Sequence, residues 1–184
     1  MNPTRAENKL SLALKSISLD FREKIVLDIG SSTGGFTYQA LRHGAKKVIA
    51  VEKGTRQMKP AFAMNPKVEL HEKTDIFTFR PDQKPDIVLA DVSFTSLTNV
   101  LNYAKMHLIG PQTVLLVLLK PQFEAKPYEL KDGIIKNHKI RRQIIQDFEI
   151  WLRSNRFAVL AKRDSEVAGK HGNLERFYLL KLSK

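Results

Sequence analysis

Strand-length apolar runs alternate with segments of helical period along most of this 184-residue chain, and that alternation constrains the fold more than any single motif. Residues 25–29, 47–51, 67–71, 86–90 and 113–119 are short, apolar and bounded by polar, Gly or Pro residues. That is the pattern of strands buried on both faces of a parallel sheet. Helical segments fall between them. Residues 36–43 stop at Gly44, 55–63 stop before Asn65-Pro66, and 96–107 stop before Gly110-Pro111. Residues 136–154 place Ile140, Ile144, Ile145, Phe148 and Leu152 on one stripe, and 5–17 read as an opening helix with apolar Leu10, Leu12, Ala13, Leu14 and Ile17. The alternation predicts a doubly wound α/β architecture, a mostly parallel seven-stranded sheet with helices on both faces. The last two strands, 157–167 and 174–182, are separated only by Ala168 to Asn173 and predict an antiparallel hairpin with a six-residue loop. The length suits one domain over 1–184, with 1–20 as a helical lead-in.

Charge narrows the class of partner. Lys and Arg number 31 against 19 Asp and Glu, a formal net charge of +12, which suits a polyanion such as RNA, DNA or an anionic membrane. The portion from Lys120 onward is the more basic, with 15 basic and 8 acidic residues, and includes Arg141-Arg142, Lys162-Arg163 and Lys170-His171. A solvated helix face explains Arg141-Arg142 as well as RNA contact does. Cysteine is absent, so disulfides, thiolate nucleophiles and cysteine-ligated zinc are excluded, and a cytoplasmic location is expected. The five His residues lack metal-type spacing, and no metal site is expected. The longest apolar run, 114–119, falls far short of the roughly 18 residues of a membrane span. The first residues, Met-Asn-Pro-Thr-Arg, contain no apolar signal core. No membrane partner is expected.

The segment Val26 to Gly35 reads V-L-D-I-G-S-S-T-G-G and joins a strand to a helix. Gly30, Gly34 and Gly35 let the backbone turn tightly and approach a ligand. No Lys follows the glycines, as a phosphate-binding loop requires, and the spacing is not G-x-G-x-x-G. Asp28, two places before the first Gly, suits a cationic or amine-bearing ligand better than a pyrophosphate. S-adenosylmethionine (SAM), with its ammonium and sulfonium, is such a ligand, and Ser31, Ser32, Thr33 and Phe36 share the turn. Glu52, 24 residues beyond Asp28, ends the second strand, where a carboxylate can accept both ribose hydroxyls of an adenosine; Lys53 follows it. Asp75, just after the third strand, either bonds the adenine amino group or caps a turn.

Four segments carry a resemblance: L-D-I-G-S-S-T-G-G-F-T over Leu27 to Thr37, A-D-V-S-F over Ala90 to Phe94, L-K-P-Q-F-E over Leu119 to Glu124, and G-N-L-E over Gly172 to Glu175. On these the chain resembles the hemolysin TlyA group of the FtsJ-like ribose 2′-O-methyltransferases, over nearly its whole length from Arg5. The resemblance implies a Rossmann-like SAM-dependent methyltransferase fold, SAM as cofactor, and ribosomal RNA or a ribosomal subunit as substrate. It also implies a Lys-Asp-Lys-Glu tetrad, which falls on Lys9, Asp91, Lys120 and Glu175. Where the group shows Arg-Gly-Gly-x-Lys-Leu, Ala6 and Glu7 replace the glycines here, and Glu7 is expected to weaken nucleic-acid contact nearby. The group carries a small RNA-binding module ahead of the catalytic domain, whereas this chain begins almost at Lys9. The module is either trimmed or naturally lacking, and without it RNA affinity falls to the basic surface or to a partner.

Methyl transfer to a ribose hydroxyl is an in-line displacement, so the enzyme must position the hydroxyl and handle its proton. A lysine accepts a proton only when neutral, and free lysine titrates near about 10.4. Burial and a second lysine favour the neutral amine, whereas carboxylates favour the ammonium. Lys120 is therefore either the general base or the group that orients the hydroxyl. Asp91 is placed to face both the methyl donor and Lys120, and Glu175 to hold Lys9 or the hydroxyl. Two other readings stay open. Base amino-methyltransferases use Asp/Asn-Pro-Pro-Phe/Tyr after the fourth strand, and Asp91 to Phe94 lacks both prolines. A non-catalytic RNA-binding or ribosome-assembly protein on the same fold is compatible with the altered surroundings of Lys9. A pore-forming role finds no membrane-length segment.

Overall fold

The computed structural model describes residues 3–169 and 171–183, so Lys170 of the basic pair Lys170-His171 lies outside the described residues. The order is α1 (Arg5–Ala13), β1 (Ile25–Ile29), α2 (Gly35–Arg42), β2 (Lys47–Val51), α3 (Pro60–Ala63), β3 (Val68–His71), β4 (Ile87–Ala90), α4 (Leu97–Tyr103), β5 (Val114–Leu119), α5 (His138–Ser154), β6 (Phe157–Asp164) and β7 (Arg176–Leu182). The strands form one seven-stranded sheet in the order β3-β2-β1-β4-β5-β7-β6. The five strands from β3 to β5 run parallel to one another, and β7 runs antiparallel to both β5 and β6. The chain steps outward from β1 to β3 and then returns to lay β4 on the other side of β1. That reversal opens a crevice at the carboxyl ends of β1 and β4, where sheets of this kind bind ligands.

Both faces of the sheet are covered. Leu27, Ile49, Val88 and Val117 pack with Leu97, Leu101, Ile145, Phe148 and Leu152 on one side. Val26, Val48, Leu89 and Leu116 pack with Leu10, Ile17, Phe36 and Ala40 on the other. The first helix is therefore more than a lead-in: Leu10 is fully buried and belongs to the second core.

Several boundaries differ from the sequence expectation, among them the opening helix expected over 5–17, which ends at Ala13. The helix expected over 55–63 is only Pro60–Ala63, because Pro60 fixes the first turn and disfavours helical backbone before it, while Arg56 takes φ of 51°. The helix expected over 96–107 is α-helical to Tyr103 and then widens into a π-helical turn, Ala104–Leu108. β6 stops at Asp164 and β7 begins at Arg176. The connection is thus 165–175 rather than six residues. Ser165 Oγ donates to Val167 O and turns the chain out of the ladder, and Gly169 N donates to Asn173 O to close a second turn. Among the described residues no helix is long and apolar enough to cross a membrane.

Candidate active site

The glycine-rich turn builds the floor of the crevice. Gly30 has φ of +78°, and a Cβ there would stand 3.1 Å from Asp91 O, so both backbone conformation and neighbour demand glycine. Gly35 opens α2 against the first turn of α1, where a Cβ would lie 2.7 Å from the Ala6 Cβ. This contact seats α1, and with it Lys9, on the turn.

Two adjoining cavities flank Asp91. One, of about 710 Å³, is lined by Glu52, Lys53, Asp75 and Phe77. The other, of about 730 Å³, is lined by Lys9, Ser31, Thr33, Phe36, Lys120 and Glu175. Gly30, Ser32, Asp91, Ser93 and Phe94 line both.

In the first cavity, Glu52 accepts hydrogen bonds from Ser32 N at 2.9 Å and Gly54 N at 2.7 Å, which fixes both of its oxygens at the rim. Asp75 accepts from Lys53 Nζ at 2.9 Å and from Phe77 N at 3.1 Å. Lys53 first, and the Phe77 N–H second, hold its carboxyl below the usual range. Asp75 therefore serves as a turn residue and faces the cavity as well.

Three of the turn residues stand differently from the sequence expectation. Asp28 is fully buried and lines neither cavity. It sits beneath the turn, accepts from Thr37 Oγ1 at 2.6 Å, and leaves Oδ1 without a hydrogen-bond partner among the described residues. Burial pushes its carboxyl up to about 7, with the Asp91 and Glu52 charges adding to the shift and the Thr37 hydrogen bond opposing it. Gly34 and Gly35 also line neither cavity; they give room to Phe62 and Met58 and to α1 respectively.

The second cavity gathers the four tetrad positions. Lys120 Nζ lies 2.7 Å from Asp91 Oδ1 and donates to Ser93 Oγ at 2.8 Å. The Asp91 contact is a close charge pair without aligned hydrogen-bond geometry, since Asp91 Oδ1 makes no hydrogen bond among the described residues. Lys9 Nζ donates to Glu175 Oε2 at 2.5 Å, and these side chains are only 6% and 2% exposed. Gly169 allows the 165–175 loop to close over Glu175, since a Cβ there would stand 2.6 Å from Glu175 Oε1.

Glu7 corrects an expectation. It does not face outward toward a nucleic acid. It is buried, with Oε1 accepting from Lys59 Nζ at 3.2 Å. Burial raises its carboxyl, but the bonds from Lys59 and Thr4 outweigh that and hold it below the ordinary value. The residue that replaces a glycine thus ties α1 to the start of α3.

Other site residues lay within recognised segments, but their roles were not legible there. Phe94 takes φ of 62° and is 93% exposed at the rim of both cavities, with its ring centroid 5.4 Å from that of Phe123. Glu124 accepts from Ser96 Oγ at 2.6 Å and from Leu97 N at 2.7 Å. It therefore caps α4 from a distant loop and clips the Asp91 to Phe94 loop to the Lys120 to Glu124 loop.

SAM fits these residues. Glu52 and Asp75 offer acceptors to an adenosine. Beneath and beside the turn, Asp28 Oδ1 and Ser31 Oγ are buried polar atoms without a partner among the described residues. Lys53, the one cation lining the first cavity among the described residues, is paired with Asp75. This donor set suits a cationic nucleoside better than a polyphosphate.

Comparison with known proteins gives the family and the fold. Residues 3–182 match the model of a family described as FtsJ-like methyltransferase. The 23S rRNA (cytidine-2′-O)-methyltransferase TlyA of Campylobacter jejuni is 35% identical over 177 residues, covering 95% of this chain and 69% of that protein. A solved structure described as a hemolysin from Streptococcus thermophilus has a TM-score of 0.92 at 31% identity, covering 98% of this chain and 67% of that one. A SAM-dependent methyltransferase structure from Listeria monocytogenes has a TM-score of 0.71 at 16% identity, covering 98% of this chain and 99% of that one, which shows the shared Rossmann-like fold.

Proposed function

The chain belongs to the TlyA-like group of the FtsJ-like methyltransferases, and from that premise we propose that it is a SAM-dependent ribose 2′-O-methyltransferase acting on ribosomal RNA. The observation that carries this reading is the position of Asp91 on the wall between the two cavities, 2.7 Å from Lys120. Cofactor and substrate chambers meet at an acid–lysine pair, and no Pro-Pro-flanked amide site for an exocyclic amine stands there.

SAM supplies a methyl group that needs no further activation. The chain's residues provide the rest. Glu52 accepts the cofactor's ribose hydroxyls and Asp75 its adenine amino group, while Gly30 and Ser32 border both chambers. Lys120 Nζ, now bonded to Ser93 Oγ, is placed to bond the target 2′-oxygen and to take its proton or hold it as charge develops. Asp91 fixes that Nζ, and the buried Lys9–Glu175 pair holds the far wall of the same chamber. Phe94, exposed beside Phe123, offers an aromatic face to an unstacked target base.

The test is transfer from tritiated SAM to ribosomal subunits of cells lacking the protein, followed by nucleoside mass spectrometry. A 2′-O-methyl nucleoside is the expected product. Label on a base, or no transfer to RNA, overturns the reading.

A further inference from the structure

We propose that residues 126–139 form a platform for single-stranded RNA flanking the target nucleotide, with Tyr128 stacking a base and Lys126, Lys131, Lys136 and Lys139 facing phosphates. This rests on the reading above that the substrate is RNA. The segment borders the chamber that holds Lys120: the chain leaves that chamber at Phe123 and returns to it at Asp132 and Gly133. Between these points Tyr128 is 79% exposed, and Lys126 Nζ lies 5.8 Å from its ring centroid. The four lysines are exposed as well.

The charge is one-sided. Residues 126–142 contain six Lys and Arg against Glu129 and Asp132. Glu129 is folded back, its Oε2 accepting from Lys126 N at 2.8 Å, which leaves Asp132 as the outward acid. Arg141 is engaged by Asp164 at 2.9 Å and is not counted on the platform.

The segment is also held in shape without being buried. Pro127–Glu129 forms a 3₁₀ turn, and Lys131 pairs with Ile134 in a small bridge. The buried Asn173 then clamps it from the β6–β7 loop, donating to Gly133 O at 2.9 Å and accepting from Ile135 N at 3.1 Å. A pre-shaped surface loses less entropy when a flexible strand binds. An exposed aromatic among lysines recognises unstacked bases, whereas duplex RNA hides its base faces and is read by shape.

The experiment measures fluorescence anisotropy of a labelled mixed-sequence single-stranded RNA of about 20 nucleotides, and of the same sequence as a duplex, against the full chain with SAM. Loss of one stacked base predicts that Tyr128→Ala weakens single-strand binding roughly 5- to 150-fold, while Tyr128→Phe restores it. Replacing Lys126, Lys131, Lys136 and Lys139 together by Gln should make the salt dependence shallower by about 3 in log–log slope. Calorimetric SAM binding by each variant confirms that the fold is kept. Wild-type affinity in Tyr128→Ala, a slope unchanged by removing the lysines, or equal losses on duplex and single strand would each overturn the platform. Transfer of label to ribosomal RNA by the wild type, assayed in parallel, tests the RNA reading separately. If that transfer is present while Tyr128→Ala binds normally, only the platform fails.

Discussion

Removing Glu175 should expose how much of the Lys9–Glu175 pair serves folding and how much serves chemistry. The two side chains are 2% and 6% exposed, and their charged atoms are 2.5 Å apart. In Glu175→Met the Lys9 ammonium stays in a buried site without its partner, which costs about 3–5 kcal/mol. For a chain of this size each kcal/mol moves the melting temperature by about 2–4 °C, so the variant should melt about 6–20 °C lower. Lys9→Met strands the carboxylate and should fall in the same range. The double variant Lys9→Met/Glu175→Met removes both charges, and methionine adapts to irregular space. Replacing a whole buried pair by apolar groups is often neutral for stability, so the double variant should regain most of the loss. It should remain inactive, because the chamber wall facing the target ribose has lost both polar groups. Thermal melts and methyl-transfer rates on the four proteins decide the matter. A double variant no more stable than the sum of the singles refutes the charge argument. One that regains activity together with stability shows that the pair serves folding alone.

Asp28→Asn should stabilise the cofactor-free protein at high pH. Burial holds this carboxyl protonated up to about 7, whereas an unfolded Asp titrates near about 3.9. The folded state therefore binds the extra proton between these values, and stability falls as pH rises through that window. The gain from Asn should approach about 4 kcal/mol above pH 7 and vanish near pH 4; a gain independent of pH in urea unfolding counts against the argument. Glu52→Ala should weaken SAM binding by at least about tenfold through loss of charged hydrogen bonds, and an unchanged calorimetric Kd contradicts its role. Glu124→Ala removes the cap on Ser96 and Leu97 and should cost about 1–3 kcal/mol of stability. It should also lower kcat more than it weakens SAM binding; a loss of stability with unaltered kcat limits Glu124 to capping.

The order of strands and helices was legible because burial on both faces leaves uninterrupted apolar runs, such as those around Val26 and Leu116. The boundaries were less so. Pro60 shortened a helix whose composition looked continuous, and Ser165 turned the chain out of a stretch that reads as strand to Val167. In the site, the resemblance offered Lys120 as the neighbour of Asp91 and either Lys9 or the hydroxyl as the partner of Glu175; it left that choice open, and only the fold brings Lys9 to Glu175 across 166 positions. Spacing along β1 placed Asp28 beside the glycine turn without saying which side of the turn its side chain would take. Glu7 looked exposed by type, yet Lys59, brought near by the packing of α1 on the turn, makes its burial tolerable. The cap by Glu124 was hidden for the same reason: Ser96 and Leu97 become its partners only when two strand-end loops meet.

Nucleoside mass spectrometry of ribosomal RNA methylated by the wild type and by Lys120→Ala and Lys120→Arg tests the central claim most directly. The account predicts a 2′-O-methyl nucleoside from the wild type. It predicts a loss of about 10²–10⁴-fold in rate with Lys120→Ala, and comparable failure with Lys120→Arg, whose guanidinium keeps its proton. SAM binding should be retained in both variants. A Lys120→Ala protein that methylates ribose at the wild-type rate, or a wild-type product carrying its methyl group on a base, would contradict it.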